Sequence, residues 1–561
     1  MREISTIRLE LSDWLYNAGI VGLANILDDS NYAVEKNYLE FDSAVLENFE
    51  EKYFKYFIRK YMHFTSWYKI IRYKDKLFKI LNGEYNDEDI ESLNNQIDFV
   101  KRQLSSSSYQ SGYLVIPDKE LDLLDESKKI SKIQLSKKKK DNFENIVLEQ
   151  GQRLLKIIEF MEKPSVSRIL LAKNIIYNFI CCFWENVSFL DKNKSKLCMY
   201  EAFSEYFIEP VSNFFSSINA KESKNKCFAC NRNIITGSKA YDLTWIVKTG
   251  VDASRKSSHF WNYSSDVTVC PICNLVYSCV PAGFTIINKR GFFINNNSNV
   301  MRLININKQS LENIASIDEI EHQSYYQVVE TMSYGQADIS KVEMENIQFV
   351  KLDGENNRRP YTFNILSKGM IEIISKNKNM LKSLLRPRRL DKDEYINLYS
   401  EVIKRLYSNQ NLFQLINMLL RVSIARDINL LNEIDILVKI NNVFLGGLMK
   451  EKAISNEKIN VIRKFGKELR DAYKKSDGEN KIGGISYRMV NALKTKNSRG
   501  FMDTLINSYM YLNKEIPGLF VDILKDEELF QTIGYAFLLG LQGDEYKKNQ
   551  NNTEGVVENE N

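Results

Sequence analysis

Four cysteines near the middle of the chain have the spacing of a metal site. They form two Cys-x-x-Cys pairs, Cys227 with Cys230 and Cys270 with Cys273, with 39 residues between the pairs. Each pair can place two thiolates on one ion, and Zn²⁺ takes four sulfurs at about 2.3 Å in a tetrahedron. Four protein ligands leave no open position for water, so the predicted Zn²⁺ is structural. The alternatives are four unrelated reduced thiols, or a degenerate site that no longer binds metal.

His259 and Cys279 are close enough in sequence to be additional ligands, although the surroundings of Cys279 are more typical of an apolar strand. A disulfide framework is not expected, because the chain is long, has only 8 cysteines and shows no secretory signal. Three histidines are a sparse supply for acid–base catalysis. No phosphate-binding loop, dinucleotide fingerprint or hydrolase motif is present, so the sequence predicts a protein that is not an enzyme.

The composition indicates a large globular protein. The 561 residues are 44% hydrophobic and 12% aromatic, enough for several domains with buried cores. The net charge is only +5, so any nucleic-acid-binding surface must be local. No apolar run reaches about 18 residues, which predicts no membrane span. We expect a cytoplasmic location.

The elements that position the cysteines are predicted from periodicity. Asp13 is a candidate N-cap for a buried helix that reaches Leu27, in which Gly19 and Gly22 allow close packing. Residues 44–102 and 141–220 are helical and rich in aromatic residues. Around the cysteines the period changes towards short strands, at 240–247, 260–269, 275–280, 284–288 and 292–294. A further strand is expected at 348–352.

Two polar segments are candidate nucleic-acid contacts. One is a run of four lysines, Lys137, Lys138, Lys139 and Lys140, which can contact phosphates. The other is the amide-rich segment of Asn295, Asn296 and Asn297, expected to form a polar tip that could read base edges. The competing interpretation of both is an ordinary solvated loop.

A third candidate is a basic stripe in the C-terminal helices. Arg463, Lys467, Arg470 and Lys474 are spaced by 4, 3 and 4 residues, which places them on one helical face. Residues 461–500 contain 11 basic and 4 acidic residues, and Arg488 continues the excess. This pattern predicts contact with a nucleic-acid backbone, and the alternative is a solvated face.

The predicted fold class is α+β and predominantly helical, with a mixed N-terminal part that includes the four-cysteine β region, and a C-terminal helical bundle. The predicted segments are a helical part at 1–220, a zinc-binding β-rich region at 221–310, a connecting region at 311–380, a helical bundle at 381–543 and a disordered tail at 544–561.

Three separated strings resemble one family. They are Asp13-Trp-Leu-Tyr-Asn-Ala-Gly-Ile-Val-Gly22, the cysteine pairs, and a C-terminal group formed by 481–494, 501–505 and 532–537. Together they resemble the large subunit of type I-B CRISPR Cascade, of the Cst or Tneap subtype. The resemblance implies a non-catalytic subunit that recognises the protospacer-adjacent motif in duplex DNA, stabilises the R-loop and helps to recruit the helicase–nuclease. Its implied partners are crRNA, target double-stranded DNA and the other Cascade subunits, with no membrane.

Two other classes of function stay open. A free-standing zinc-containing nucleic-acid-binding regulator would bind nucleic acid tightly by itself, and an enzyme with an unrecognised site is the other alternative. The family's C-terminal part also resembles separate small subunits, and the predicted bundle is similar to them from about residue 449. The Gly446-Gly-Leu-Met449 string could encode an internal translation start, so a C-terminal fragment of this same chain is a further predicted partner.

Overall fold

The computed structural model describes residues 6–35, 37–117, 119–134, 142–194, 197–216, 222–235, 240–247, 249, 268–287, 289–297, 299–308, 347–355, 360–366, 368–391, 394–426, 428–448 and 453–543. The chain divides into two compact units. The N-terminal unit comprises 1–321 and 345–365, and the C-terminal unit comprises 322–344 and 366–561. The predicted class is confirmed, because helices predominate and short sheets accompany the four-cysteine segment.

The N-terminal unit begins with strand β1 (Thr6–Glu10) and helix α1 (Trp14–Leu27). The Asp13 carboxylate accepts from the backbone N–H groups of Leu15 and Tyr16, which confirms the predicted N-cap. Strands β2 (Ala33–Val34) and β3 (Tyr38–Asp42) complete an antiparallel sheet in the order β1-β3-β2. Twelve of the fourteen residues of α1 are buried, so this helix lies inside the unit.

A series of helices follows, as the aromatic periodicity predicts. Their bounds are α2 (Phe49–Tyr61), α3 (Ser66–Ile71), α4 (Lys74–Leu81), α5 (Asp87–Leu104), α6 (Ser107–Val115), α7 (Leu123–Lys129), α8 (Phe143–Glu162), α9 (Pro164–Asn178) and α10 (Met199–Phe203). A π-helical segment (Ser204–Ile208) leads from α10 into α11 (Glu209–Ser216). The aromatic residues of α2 are buried, which supports the interpretation of that stripe as core.

The cysteine segment contains both strands and helices. Strands β4 (Glu222–Lys226) and β5 (Asn233–Ile235) form a hairpin. The second cysteine pair lies at the start of helix α12 (Pro271–Ser278), and helix α13 (Val280–Gly283) follows. The strand predicted at 275–280 is therefore wrong. That run is apolar on every side because both faces of the helix are buried, and a short, uniformly apolar run has no period that separates helix from strand.

A four-stranded sheet in the order β6-β7-β8-β9 completes the N-terminal unit. Its strands are β6 (Thr285–Ile287), β7 (Arg290–Asn295), β8 (Ile347–Asp353) and β9 (Tyr361–Leu366), and helix α14 (Val300–Asn307) follows β7. The strands predicted at 284–288, 292–294 and 348–352 are confirmed. One hydrophobic core extends from Ile7 to Leu352 and includes the cysteine segment, so the predicted boundary near 220 does not separate two cores.

In the residues that the structure describes, the C-terminal unit consists of helices and a two-stranded ribbon. The helices are α15 (Lys368–Lys376), α16 (Lys378–Ser383), α17 (Leu398–Tyr407), α18 (Phe413–Arg426), α19 (Leu431–Leu448), α20 (Asn456–Lys475), α21 (Glu479–Lys494), α22 (Ser498–Tyr511) and α23 (Glu527–Gln542). The ribbon pairs β10 (Arg388–Arg389) with β11 (Tyr395–Ile396). Helices α20 and α23 cross closely, because a Cβ added at Gly540 would lie 1.8 Å from the carbonyl oxygen of Arg463. Among the helices of the described residues, none combines the length and apolar character that crossing a membrane requires.

Candidate metal centre

The first cysteine pair lies in the turn of the β4–β5 hairpin. The backbone N–H of Cys227 donates to the carbonyl of Arg232 at 2.8 Å, and the N–H of Asn231 donates to the carbonyl of Cys227 at 2.8 Å. Asn231 has a φ of 57°, in the left-handed region that asparagine tolerates better than most residues. The turn is therefore tight enough to bring the sulfurs of Cys227 and Cys230 to the same side.

The second pair lies at the beginning of helix α12. Cys270 is the N-cap, Pro271 occupies the first helical position and Cys273 is in the first turn. The positive end of a helix dipole favours anionic groups, so this position stabilises two thiolates. The backbone N–H of Cys270 also donates to the sulfur of Cys227 at 3.3 Å, which joins the two pairs.

The two pairs meet and form one cluster. The four sulfurs lie within 4.8 Å of one another, and the sulfurs of Cys230 and Cys270 are 3.8 Å apart. A tetrahedron with metal–sulfur bonds of about 2.3 Å has edges of about 3.8 Å. Cys227, Cys270 and Cys273 are buried, and Cys230 is half-buried. The cluster therefore has the composition and dimensions of a four-thiolate metal site.

The electrostatics of the cluster also fit a cation. Hydrogen bonds from Cys230, Cys270 and Cys273 lower the pKa of Cys227, whereas hydrogen bonding with Cys227 raises the pKa of Cys270 and of Cys273. Four sulfurs in contact cannot all ionise without a compensating charge, because each thiolate disfavours the next. A divalent ion removes this conflict, so the four cysteines could hold a metal ion.

The two additional candidate ligands have different outcomes. Cys279 is fully buried, and its sulfur contacts the carbonyl of Leu275 at 3.4 Å. It follows the last residue of α12, not a strand, and it is not part of the cluster. His259 lies outside the described residues.

A hydrogen-bonding neighbour of the cluster was not identified from the sequence. The Tyr16 hydroxyl lies 3.4 Å from the sulfur of Cys273, and burial raises the pKa of Tyr16 well above its usual value. The apolar pattern around Tyr16 predicts a buried helix and gives no sign of a sulfur contact. Tyr16 and Cys273 are 257 residues apart in sequence, so their contact is visible only in the folded structure.

Comparison with known proteins identifies this segment. Residues 220–285, which include both cysteine pairs, match the family model of a CRISPR-associated protein (Cas_CXXC_CXXC). The match indicates a CRISPR-associated protein. No curated protein and no solved structure matches the chain. The CRISPR association predicted from the sequence is thus supported, through the segment that forms the cluster.

The predicted asparagine tip is corrected by the structure. Asn295 and Asn296 are 2% and 1% exposed, and Asn297 alone is exposed. The Asn295 side-chain oxygen accepts from Asn17 at 2.8 Å, and its amide nitrogen donates to Gln348 at 3.1 Å. Asn295 and Asn296 therefore belong to the interior near α1, because buried amides need partners that this arrangement supplies.

The basic stripe lies on α20, which begins after the N-cap Ser455. Arg463 pairs with Asp435 at 3.4 Å, and Lys474 pairs with Glu479 at 2.8 Å. The Arg470 side chain is only 12% exposed and lies over Gly543, where an added Cβ would be 0.8 Å from its guanidinium nitrogen. Arg470 thus covers the end of α23 and is not part of an exposed ridge.

Other cations of the same helix, Lys474 among them, are exposed, and two exposed lysines border a cleft. Lys464 and Lys467 are exposed and, with Arg463, line a cleft of about 270 Å³ beside Gly540. Arg488 is exposed on α21. The four lysines Lys137, Lys138, Lys139 and Lys140 lie outside the described residues. Contact of any of these residues with nucleic acid stays a prediction.

Proposed function

We propose that this chain is the non-catalytic large subunit of a type I-B CRISPR Cascade complex in the cytoplasm. The observation that carries the proposal is the match of the cysteine segment to a CRISPR-associated family. The resemblance of the N-terminal and C-terminal strings to that subunit supports the finer assignment. In this role the chain recognises the protospacer-adjacent motif, stabilises the R-loop and helps to recruit the helicase–nuclease, while crRNA pairing supplies most of the sequence specificity.

The ion that we propose for the four cysteines is Zn²⁺. Thiolate ligands and a tetrahedral arrangement are typical of structural zinc sites. Four sulfurs fill the coordination sphere, so the ion would connect the β4–β5 hairpin to α12 without taking part in a reaction. Metal binding of this kind stabilises the folded state, since the unfolded chain lacks the preformed site.

An internally translated C-terminal fragment is part of the proposal. Met449 lies outside the described residues, after a helix that ends at Leu448 and before one that begins at Asn456. Met418 is another methionine at which an internal start could lie, but it falls within α18, so a fragment that begins there would cut that helix. A fragment that begins at Met449 would therefore retain α20–α23 whole, including Lys464 and Lys467. Intact-mass analysis of the purified complex, with silent recoding of the Gly446 and Gly447 codons as the control, tests for it.

Assembly and target binding test the proposed function. The chain is expressed alone, and also together with crRNA and the Cas proteins encoded beside it. We expect co-purification with crRNA, and R-loop formation only on duplexes that carry a protospacer-adjacent motif. Tight binding of nucleic acid by the chain alone, without crRNA or sister subunits, would instead support the free-standing zinc-containing regulator. Cleavage of DNA by the chain alone would contradict the non-catalytic assignment.

A further inference from the structure

The Tyr16 hydroxyl contacts the cysteine cluster from a distant part of the sequence. Its oxygen lies 3.4 Å from the sulfur of Cys273, and the residue is 1% exposed. A phenol is a hydrogen-bond donor at neutral pH, and a metal-bound thiolate is an acceptor. The contact therefore has the polarity of an outer-shell hydrogen bond to a metal ligand.

Other buried tyrosines near this helix behave differently. The hydroxyls of Tyr53, Tyr56 and Tyr61 on α2 donate to the backbone carbonyls of Ser278, Ala282 and Phe284, at 3.0, 3.0 and 3.2 Å. Those bonds satisfy carbonyl groups of the α12–α13 segment, which is the usual partner of a buried tyrosine hydroxyl. Tyr16 differs from these three because its hydroxyl lies against a sulfur.

The position of Tyr16 is fixed by rigid contacts. Its ring packs edge-to-face on Tyr277, with centroids 5.5 Å apart. A Cβ added at Gly19 would lie 2.5 Å from the carbonyl oxygen of Val276, and one added at Gly22 would lie 1.9 Å from that of Cys279. Helix α1 thus rests directly on the backbone of α12 and α13, which holds the hydroxyl at the sulfur.

The Tyr16 contact would help to compensate the negative charge of the occupied metal site. One divalent ion with four thiolates carries a net charge of about −2, and a buried charge is costly unless hydrogen-bond donors compensate it. The N–H of Cys270 supplies one donor, to the sulfur of Cys227. The Tyr16 hydroxyl supplies another, to Cys273, from the first turn of a second helix whose positive end also favours the anion.

We propose that Tyr16 is a positioning residue of the metal centre, which donates to the Cys273 thiolate and makes α1 part of the outer shell of the ion. The inference requires a metal ion at the four cysteines and does not require the Cascade assignment. It also gives a role to the Asp13–Gly22 string: its glycines let α1 pack closely on α12 and α13, and its tyrosine then reaches Cys273. The hydrogen bond holds Cys273 in the orientation that the tetrahedron needs.

The test uses the full chain loaded with Co²⁺ and the substitution Tyr16→Phe, which removes only the hydroxyl. We expect transfer of the ion to a chelator to be roughly 10 times faster or more, in line with the 10–100-fold effects of outer-shell partners. The sulfur-to-cobalt charge-transfer band should move to longer wavelength, because a thiolate without its donor holds its electrons less tightly. Tyr53→Phe is the matched control, because it removes a buried hydroxyl of α2 that donates to a backbone carbonyl of α12, that of Ser278, and not to a sulfur.

Each outcome of this test is decisive. A Tyr16→Phe protein with the spectrum and release rate of Tyr53→Phe overturns the inference, while a wild-type chain that takes up no Co²⁺ overturns the metal centre as well. If Tyr16→Phe does not fold, ¹¹³Cd-loaded wild-type protein replaces it. A scalar coupling between the Tyr16 hydroxyl proton and ¹¹³Cd through Cys273 is then expected, and its absence contradicts the hydrogen bond. Complex assembly reports on the proposed function separately.

Discussion

Lys173 on α9 is a charged residue inside a helical core. It is 3% exposed, and within the described residues it has no ion pair. Burial lowers its pKa, because the charged ammonium is poorly solvated there. The folded chain thus binds this proton less tightly than the unfolded chain. The resulting penalty is present below the folded pKa and disappears as the pH rises towards the unfolded value.

We therefore predict that Lys173→Met stabilises the N-terminal unit at pH 7 and that the gain shrinks as the pH approaches 10. Methionine keeps the apolar stem and loses the charge. Urea unfolding at a series of pH values measures the difference from wild type. Lys156→Met on the exposed side of α8 is the control and should give almost no change. An equal gain at pH 7 and pH 10 would show that the ammonium is not the cause.

The cysteine ligands give a second prediction at this scale. We expect one Zn²⁺ per chain in the wild type and none in Cys270→Ser/Cys273→Ser, measured by metal analysis. Structural zinc supplies roughly 10–16 kcal/mol in small domains, comparable with the whole stability of a typical domain. The double variant should therefore lose the cooperative unfolding of the N-terminal unit. Cys279→Ser, a buried cysteine outside the cluster, should keep its metal; a metal-free wild type that folds cooperatively would contradict the prediction.

At the scale of elements, two helix glycines should respond in opposite ways to alanine. Gly22 on α1 has no room for a Cβ beside the carbonyl of Cys279, so Gly22→Ala should destabilise the N-terminal unit by about 2 kcal/mol or more. Gly484 lies at an exposed interior position of α21, and apart from the neighbouring backbone of its own helix nothing lies within 4 Å of an added Cβ. Gly484→Ala should stabilise the C-terminal unit by roughly 0.5–1 kcal/mol, the helix propensity difference.

Calorimetric unfolding of both variants checks this pair. The two results test different statements, since Gly22→Ala reports on helix packing and Gly484→Ala reports on propensity alone. A neutral Gly22→Ala would mean that α1 does not rest on the Cys279–Gly283 backbone at α13. A destabilising Gly484→Ala would mean that the exposed face of α21 makes a contact that a methyl group disturbs.

The elements also show what a sequence can predict here. The start of α1 at its Asp13 cap and strand β8 follow from local signals, and both are confirmed. The cysteine spacing likewise predicts the cluster. The burial of Asn295 and the sulfur contact of Tyr16 depend on partners 278 and 257 residues away, and no local pattern encodes such pairing.

At the scale of the whole molecule, a low net charge requires that any polyanion contact be local. Of the predicted stripe, Arg470 is largely covered, whereas Lys467 is exposed at a cleft. Lys464, which is not a member of the stripe, is exposed at the same cleft. We predict that Lys464→Gln/Lys467→Gln weakens target binding by the assembled complex and lowers the slope of log K against log salt. The slope should fall by about 0.7–0.9 for each lost phosphate contact.

The control for this prediction is Arg470→Gln, which should destabilise the C-terminal unit and leave the salt slope nearly unchanged. Binding titrations at several salt concentrations measure the slope, and thermal unfolding measures the stability. An unchanged slope for the lysine pair would assign Lys464 and Lys467 to a solvated face.

The packing of α1 against α12 has a consequence for synthesis on the ribosome. Tyr16 leaves the ribosome 257 residues before Cys273. At a translation rate of roughly 5–20 residues per second, about 13–50 s pass between the synthesis of α1 and that of the α12–α13 segment on which it packs. During that time α1, which has twelve buried residues in the folded unit, exposes part of its apolar surface to water. The nascent chain should therefore be a strong client of ribosome-associated chaperones until the second cysteine pair emerges, and capture of the metal would end that dependence.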